Sequence, residues 1–465
     1  MIDTQDVPLA LADVLALAQR LEHEKDYPFA NRLLERALGV TPDHPDILHL
    51  SGIVDFRLGL RDQALTKIER AIERGADIRL YLRNISEVYR ALGRFDDALA
   101  AAARATALSP EDPVCLHNLA VIQYHRLELD DCIASARKAL EINAFLPGPH
   151  FQLAEALLLR GEWTEGWREY QWRFDLPGNV PLMPPTTQPR WDGTSFDDGT
   201  LLLVADQGFG DVIQFSRYIP WALQKCPNLA VACAPEMQSL LKQVCPEANV
   251  FVSWRDCPQF KAFRALSGLP DLHETTPDHM LGGDAYLRAD PDRAATWKQR
   301  LDRLVPGSFR RVGIVWAGRP AHNNDRWRSA SLATFAPLAA LPGVALVSLQ
   351  KGPAADQAGR YFGMAPLINL GAEISDYEDT MAIIDGLDCL VTVDTSVGHI
   401  AGALGRPVHI LLARAPDWRW LLDRTDTPWY KSARLIRQTT TGVWDDVMAQ
   451  AAAAVKEMGR VTISG

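Results

Sequence analysis

The stretch VTVDTSVGHIAGALGRP, residues 391–407, decides the fold. Its start completes the run CLVTVD, apolar and β-branched as a buried strand requires, and its tail carries the small residues of a closely packed helix. Asp394, Thr395 and Ser396 form the turn between them. Backbone N–H groups at such a helix start, with hydroxyls beside them, can cradle a pyrophosphate. The same residues also suit ordinary capping, with Asp394 or Thr395 as the cap.

The same rhythm extends in both directions. LLLVA (201–205), LAVACA (229–234) and NVFVSW (249–254) form one group of strands. VGIVWA (312–317), ALVSLQ (345–350), CLVTVD (389–394) and VHILL (408–412) form another. Continuous apolar strands separated by helical segments predict parallel sheets covered on both faces. A helix with Pro291 near its start divides the groups, and the DPD at 290–292 reads as its cap rather than as a metal site. The expectation is an α/β region of two Rossmann-like domains facing a cleft, residues 199–305 and 306–465, with ligands at the carboxyl ends of the strands.

Four turns at those ends hold the candidate chemistry. In DQGFGDVIQF (206–215), Gly208 and Gly210 are expected to supply positive φ and close backbone approach in a strand-to-helix turn. Asp211 is then either the helix cap or a carboxylate at the mouth of the cleft, placed to take a proton from an attacking hydroxyl. Asp206 is the competing carboxylate, which can instead hold the turn by local hydrogen bonds. After the next group's first strand, WAGRPAHNNDRWRS brings Arg326 and Arg328, and SLQKG brings Lys351. Each alone reads as a solvated surface charge, whereas three together could offset a diphosphate leaving group without a metal.

The first third is a repeat array. Ala37, Ala71, Ala105 and Ala139 are spaced by 34 residues, as are Ala30, Ala64, Ala98 and Cys132, and Ala18, Gly52, Ser86, Ala120 and Ala154. Gly59, Gly93 and Gly161 share a column with Leu127, and Pro113 and Pro147 share another, expected to end the second helix of each pair. This is the tetratricopeptide period. Four full repeats and a partial fifth are predicted within residues 1–175, a module that binds peptides or protein surfaces, or serves as a dimerisation or docking element. Trp163 and Trp167, four apart on one helical face, read as packing where the array meets the next domain. The proline-rich segment 176–198 reads as a linker.

Composition limits the rest. A net charge of −10 argues against nucleic acid, and the cysteines form no C-x-x-C pair, which fits a reducing cytoplasm better than a disulfide framework. The opening MIDTQDVPLALADVLALAQR has acids where an export signal has lysines, and no apolar run is long enough for a membrane span.

From about residue 190 to 440 the chain resembles glycosyltransferase family 9, the heptosyltransferase-like branch with the GT-B fold. The matching pieces are GFGDV, NDRWRS, YEDTMAIIDGLDC and VDTSVGH with the small-residue helix behind it. With the repeats, PRWDG, and PDWRWLLDRTDTPWY near the end, it resembles bacterial proteins that join tetratricopeptide repeats to such a transferase. The resemblance implies Asp211 as the base and Asp394, Thr395, Ser396, Gly398 and His399 around the donor's diphosphate and ribose. It puts Arg326 where heptosyltransferases carry a phosphate-contacting lysine, and Asp379 and Thr380 near the base. The implied activity is inverting, metal-independent transfer from a nucleotide sugar to a protein hydroxyl held by the repeats, with flagellin or another surface protein as acceptor. The alternatives are a glycan- or lipid-directed transferase whose repeats recruit a partner, and a catalytically inactive scaffold.

Overall fold

The computed structural model describes residues 10–75, 77–178, 182–322 and 324–458. The first nine residues, where the absence of an export signal was partly read, and positions 179–181 of the expected linker lie outside them. The chain divides into two compact units, Met1–Ala156 and Leu157–Gly465.

The helices run in antiparallel pairs with the predicted period: α1 (Leu11–His23) with α2 (Tyr27–Val40), α3 (Pro45–Arg57) with α4 (Arg61–Arg74), α5 (Arg79–Leu92) with α6 (Phe95–Leu108), and α7 (Pro113–Arg126) with α8 (Leu129–Ile142). A fifth pair is α9 (Pro147–Arg160) with the short α10 (Trp163–Tyr170). The division between the units falls inside α9, not at 175/176, so α10 belongs to the second unit. The small-residue columns are buried where paired helices touch. Ala18, Ala30, Ala64, Ala98, Ala120 and Cys132 are fully enclosed, and a Cβ on Gly52 would lie 2.5 Å from Ile68 Cγ1. Every turn between paired helices is closed by a left-handed residue: Lys25, Gly59, Gly93, Leu127 and Gly161 all have positive φ. The prolines act differently from expectation. Pro113 and Pro147 are the first residues of α7 and α9, where a missing N–H is harmless, so they start the following helix rather than end the preceding one.

The second unit contains two parallel sheets. β1 (Leu201–Val204), β2 (Leu229–Ala232), β3 (Asn249–Phe251) and β4 (Ala262–Ala265) lie in the order β3-β2-β1-β4. β5 (Arg310–Val315), β6 (Val344–Ser348), β7 (Leu367–Asn369), β8 (Cys389–Val393), β9 (Val408–Leu412) and β10 (Ala433–Arg437) lie in the order β10-β9-β8-β5-β6-β7. All pairings are parallel, with Leu202 between Ala230 and Phe263 in one sheet and Ile314 between Ser348 and Val391 in the other. In each sheet the order reverses beside the first strand, between β1 and β4 and between β5 and β8. Connections there leave in opposite directions, which opens a crevice at the carboxyl ends. Val312, Ile314, Val391 and Val393 fill the second core together with Val447, Ala451 and Val455 of the helix Asp445–Glu457. Part of the expected linker is docked: Trp191 donates to the Phe263 carbonyl at 2.8 Å and its ring is buried, so this segment runs along β4. No helix among the described residues is long and apolar enough to cross a membrane.

Candidate functional site

The two reversal points hold most of the polar residues singled out from the sequence. After β1 the chain turns through Gln207 and enters α11 (Phe209–Ser216). The left-handed residue of this turn is Gln207, at φ 69°, whereas Gly208 is the helix cap with φ −76°. The glycines are therefore not needed for positive φ. Gly210 is needed for space: a Cβ there would lie 2.9 Å from Cδ2 of His399. That contact comes from the helix Ser396–Ala403 after β8, which packs against α11. The starts of two helices, one from each sheet, thus meet.

Asp211 is the third residue of α11 rather than its cap. Its Oδ2 accepts from Gly208 N–H at 3.0 Å, and its Oδ1 accepts from Arg419 at 2.5 Å. Arg419 is buried and also pairs with Asp417 at 2.9 Å. Burial works against its charge, but Asp417, Asp211 and Asp394 more than compensate and hold its pKa well above the ordinary value. Asp417 has its pKa raised, by burial and by the neighbouring Asp394 and Asp211 carboxylates, against the pull of Arg419.

On the opposite side, Asp394 accepts from Trp420 Nε1 at 2.9 Å, and the hydroxyls of Thr395 and Thr392 are 3.0 Å apart. Thr395 precedes the helix Ser396–Ala403 without capping it through its side chain. Gly398 sits against β8, where a Cβ would lie 3.1 Å from Thr392. Ser396 pairs with the Tyr377 hydroxyl at 2.9 Å. His399 departs from its expected role of lining a ligand. It is 2% exposed, with Nδ1 2.9 Å from the Tyr430 hydroxyl and Nε2 3.4 Å from Arg419. Burial, reinforced by Arg419, drives its pKa well below the ordinary value. Arginine can only donate, so Nε2 is the acceptor and Nδ1 carries the proton.

Of the cations, Arg328 comes nearest the crevice: its guanidinium covers Gly318 beyond β5, where a Cβ would lie 2.8 Å from Nη2. Its charge is felt at His399. Arg326 is exposed, over the Trp327 ring at 4.6 Å. Lys351 donates to the Ile374 carbonyl at 2.5 Å. Asp379 and Thr380, expected near Asp211, make their hydrogen bonds elsewhere. Asp379 accepts from Trp297 at 3.0 Å and Arg293 at 3.1 Å and so docks the helix Tyr377–Asp385, while buried Thr380 donates back to the Asp376 carbonyl at that helix's own start. Tyr377, one turn earlier, is the residue of that helix that touches the site, with its ring also 5.7 Å from Phe209.

Asp206, the competing carboxylate, has a buried side chain bonded within the first sheet's reversal point. It accepts from Ser267 N–H at 3.0 Å and pairs with buried Arg173 at 3.6 Å, closing the β1/β4 reversal point, and burial raises its pKa. Sequence reading missed Arg419, Trp420, Tyr377 and Gln350. The last is a buried amide whose Oε1 accepts from the N–H groups of Trp316 and Ala317, fixing the β5 exit. Among the described residues no group of three His, Cys, Asp or Glu side chains is placed to hold a metal ion.

No protein-family model matches the chain. It is 25% identical over 515 residues to Protein FlbA of Caulobacter vibrioides, covering 97% of this chain and 85% of that protein. Among solved structures, it is similar to TTC0263, a thermophilic TPR protein of Thermus thermophilus, at 24% identity and a TM-score of 0.33, over 36% of this chain and 92% of the other. It is also similar to MamA at 15% identity and a TM-score of 0.31, over 36% of this chain and 95% of the other.

Proposed function

We propose that the second unit is an inverting glycosyltransferase that uses a nucleotide-sugar donor, and that the repeats select a protein acceptor. The observation that carries this reading is the meeting of two helix starts, each at the reversal point of its own parallel sheet. One bears the carboxylate of Asp211, and the other offers the first amides of the helix Ser396–Ala403 without a side-chain cap.

The chemistry follows from those groups. A donor phosphate lies at the amides beginning with Ser396, where the helix dipole and Arg328 offset its charge. The acceptor O–H gives its proton to Asp211 as its oxygen bonds the anomeric carbon. The bond from that carbon to the phosphate oxygen breaks, and its electron pair leaves with the nucleotide. Asp394 and the hydroxyls of Thr395 and Ser396 supply hydrogen bonds around the donor, while His399 acts from behind as a neutral spacer. The repeats bring a protein hydroxyl to this crevice, in keeping with the usual work of such arrays.

A second reading is favoured by one observation: both Asp211 oxygens are already hydrogen-bonded. A carboxylate so occupied suits a nucleotide-binding scaffold without turnover. The full chain incubated with UDP-, GDP-, dTDP- and CMP-linked sugars separates the two. Release of nucleotide, reduced about 10²–10⁴-fold in Asp211→Asn with donor affinity unchanged, supports transfer. Thermal stabilisation by a nucleotide with no release from any sugar supports the scaffold.

A further inference from the structure

We propose that the turn Trp418–Arg419–Trp420 is the positioning element of this site, and that Arg419 is the residue that fixes the Asp211 carboxylate for proton acceptance. The inference rests on the glycosyltransferase reading and deepens it.

Three consecutive side chains leave this turn toward three different parts of the unit. Trp418 is buried among aromatic rings, 5.1 Å from Trp167 and 5.7 Å from Tyr170 of α10. Arg419 reaches Asp211 of α11 and His399 of the opposing helix. Trp420 donates to Asp394 and sets its ring 5.3 Å from His399. One short turn therefore holds the carboxylate of the first sheet and that of the second at once.

The turn is itself anchored. The Asp417 side chain accepts from Arg419 N–H at 3.1 Å, Trp429 Nε1 donates to the Arg419 carbonyl at 3.0 Å, and Arg437 donates to the Trp420 carbonyl at 2.7 Å. Leu421 then leaves it with φ 54°. A backbone fixed on three sides leaves the Arg419 guanidinium little freedom, and a rigid second layer is what holds a reacting carboxylate in productive geometry. Arg419 touches no reacting atom. It holds Oδ1 while Gly208 holds Oδ2, which sets the carboxylate's rotation and leaves one lone pair of each oxygen outside these bonds. Arg419 itself neither gains nor loses a proton in the step.

The test compares full-length Arg419→Gln and Arg419→Lys with wild type, using whichever nucleotide sugar of the panel is turned over. Arg419→Gln should lower turnover by about 10²-fold, the scale of a small misplacement of a reacting group. Donor KM should change little, because the lost contact is not with the donor. Arg419→Lys, which keeps the charge without the fork, should restore part of the turnover. Wild-type turnover in both variants would overturn the proposal.

Thermal melting supplies a readout independent of activity. Asp211→Asn combined with Arg419→Gln should melt little lower than Arg419→Gln alone, because one ion pair cannot be broken twice. Additive losses in an active enzyme overturn the positioning role and leave glycosyl transfer standing. An inactive wild type with non-additive losses overturns glycosyl transfer and the base together.

Discussion

The repeat unit and the α/β unit bury polar groups in different ways. In the repeats the partners are near neighbours in the chain: Asp55, enclosed in α3, is met by Lys67 at 2.6 Å and Asn31 at 2.8 Å, and His49 by Asn84 at 3.0 Å. In the α/β unit they come from far away, Ser267 to Asp206 across 61 residues and Arg419 to Asp211 across 208. A period can encode the first kind because each partner comes from the same repeat or the adjoining one. It cannot encode the second. The fifth pair shows the change of use: Arg173 stands 34 residues after Ala139, in the alanine column, yet it reaches Asp206 and Ser267 of the first sheet. Trp163 and Trp167 accompany it, stacking on Trp429 at 5.3 Å and meeting Trp418 at 5.1 Å. The last repeat has thus become part of the α/β core, which is why the units divide inside α9.

The largest expected effect tests that conversion. Arg173→Met would leave Asp206 buried without its cation, which typically costs ~3–5 kcal/mol. Denaturant unfolding followed by tryptophan fluorescence reads it, since the α/β core holds Trp163, Trp167, Trp418 and Trp429. A loss no larger than that of an exposed arginine would return α10 to the repeats and erase the contrast.

The next effect concerns acid. Burial lowers the pKa of His49 from 6.5 to about 4. Its folded value lies below its unfolded one, so its contribution to stability is present above pH 6.5 and is lost as pH falls toward 4. Over that window the loss approaches ~3 kcal/mol. Hydrogen exchange in α3 and α5 should show the acid sensitivity, and His49→Gln should flatten it there without changing the response of the α/β unit. Equal flattening in both units would mean that the repeats do not keep their polar interactions local.

What was legible in the sequence follows the same line. The 34-residue columns announced the helix pairs because small residues recur wherever two helices touch. Seven strands were read in place, since two-sided burial makes them continuously apolar. β4 (AFRA) and β10 (ARLIR) were overlooked because each carries arginine, and β7 (LIN) because it is a short edge strand with no fully buried residue. At the site, Asp211 and Asp394 were visible as polar residues at helix starts, but Arg419 within PDWRW was not given a role. Its meaning depends on a carboxylate 208 residues away, and no local spacing shows that. The positive φ assigned to the glycines of DQGFG belongs to Gln207 because the residue before the helix cap makes the turn. Glycine was chosen at 210 by the nearness of His399, a tertiary fact.

The smallest effect lies in the column that is most regular. Leu127 holds φ 65° in the turn where Gly59 and Gly93 stand in the two preceding repeats. A side chain in the left-handed region strains the backbone by ~1–2 kcal/mol. Leu127→Gly relieves that strain, but glycine's freedom in the unfolded chain takes back ~0.5–1 kcal/mol. A net gain of about half a kcal/mol should raise the repeat unit's melting temperature slightly. Gly59→Ala is the reverse experiment. Nothing lies within 4 Å of a Cβ there, so packing does not change and only the backbone responds. It should lose about 1 kcal/mol. Opposite signs at equivalent positions would show that the repeats obey one local rule. A loss in Leu127→Gly would mean that the partly buried leucine packs well enough to outweigh its backbone, and that even the array contains a position its period does not explain.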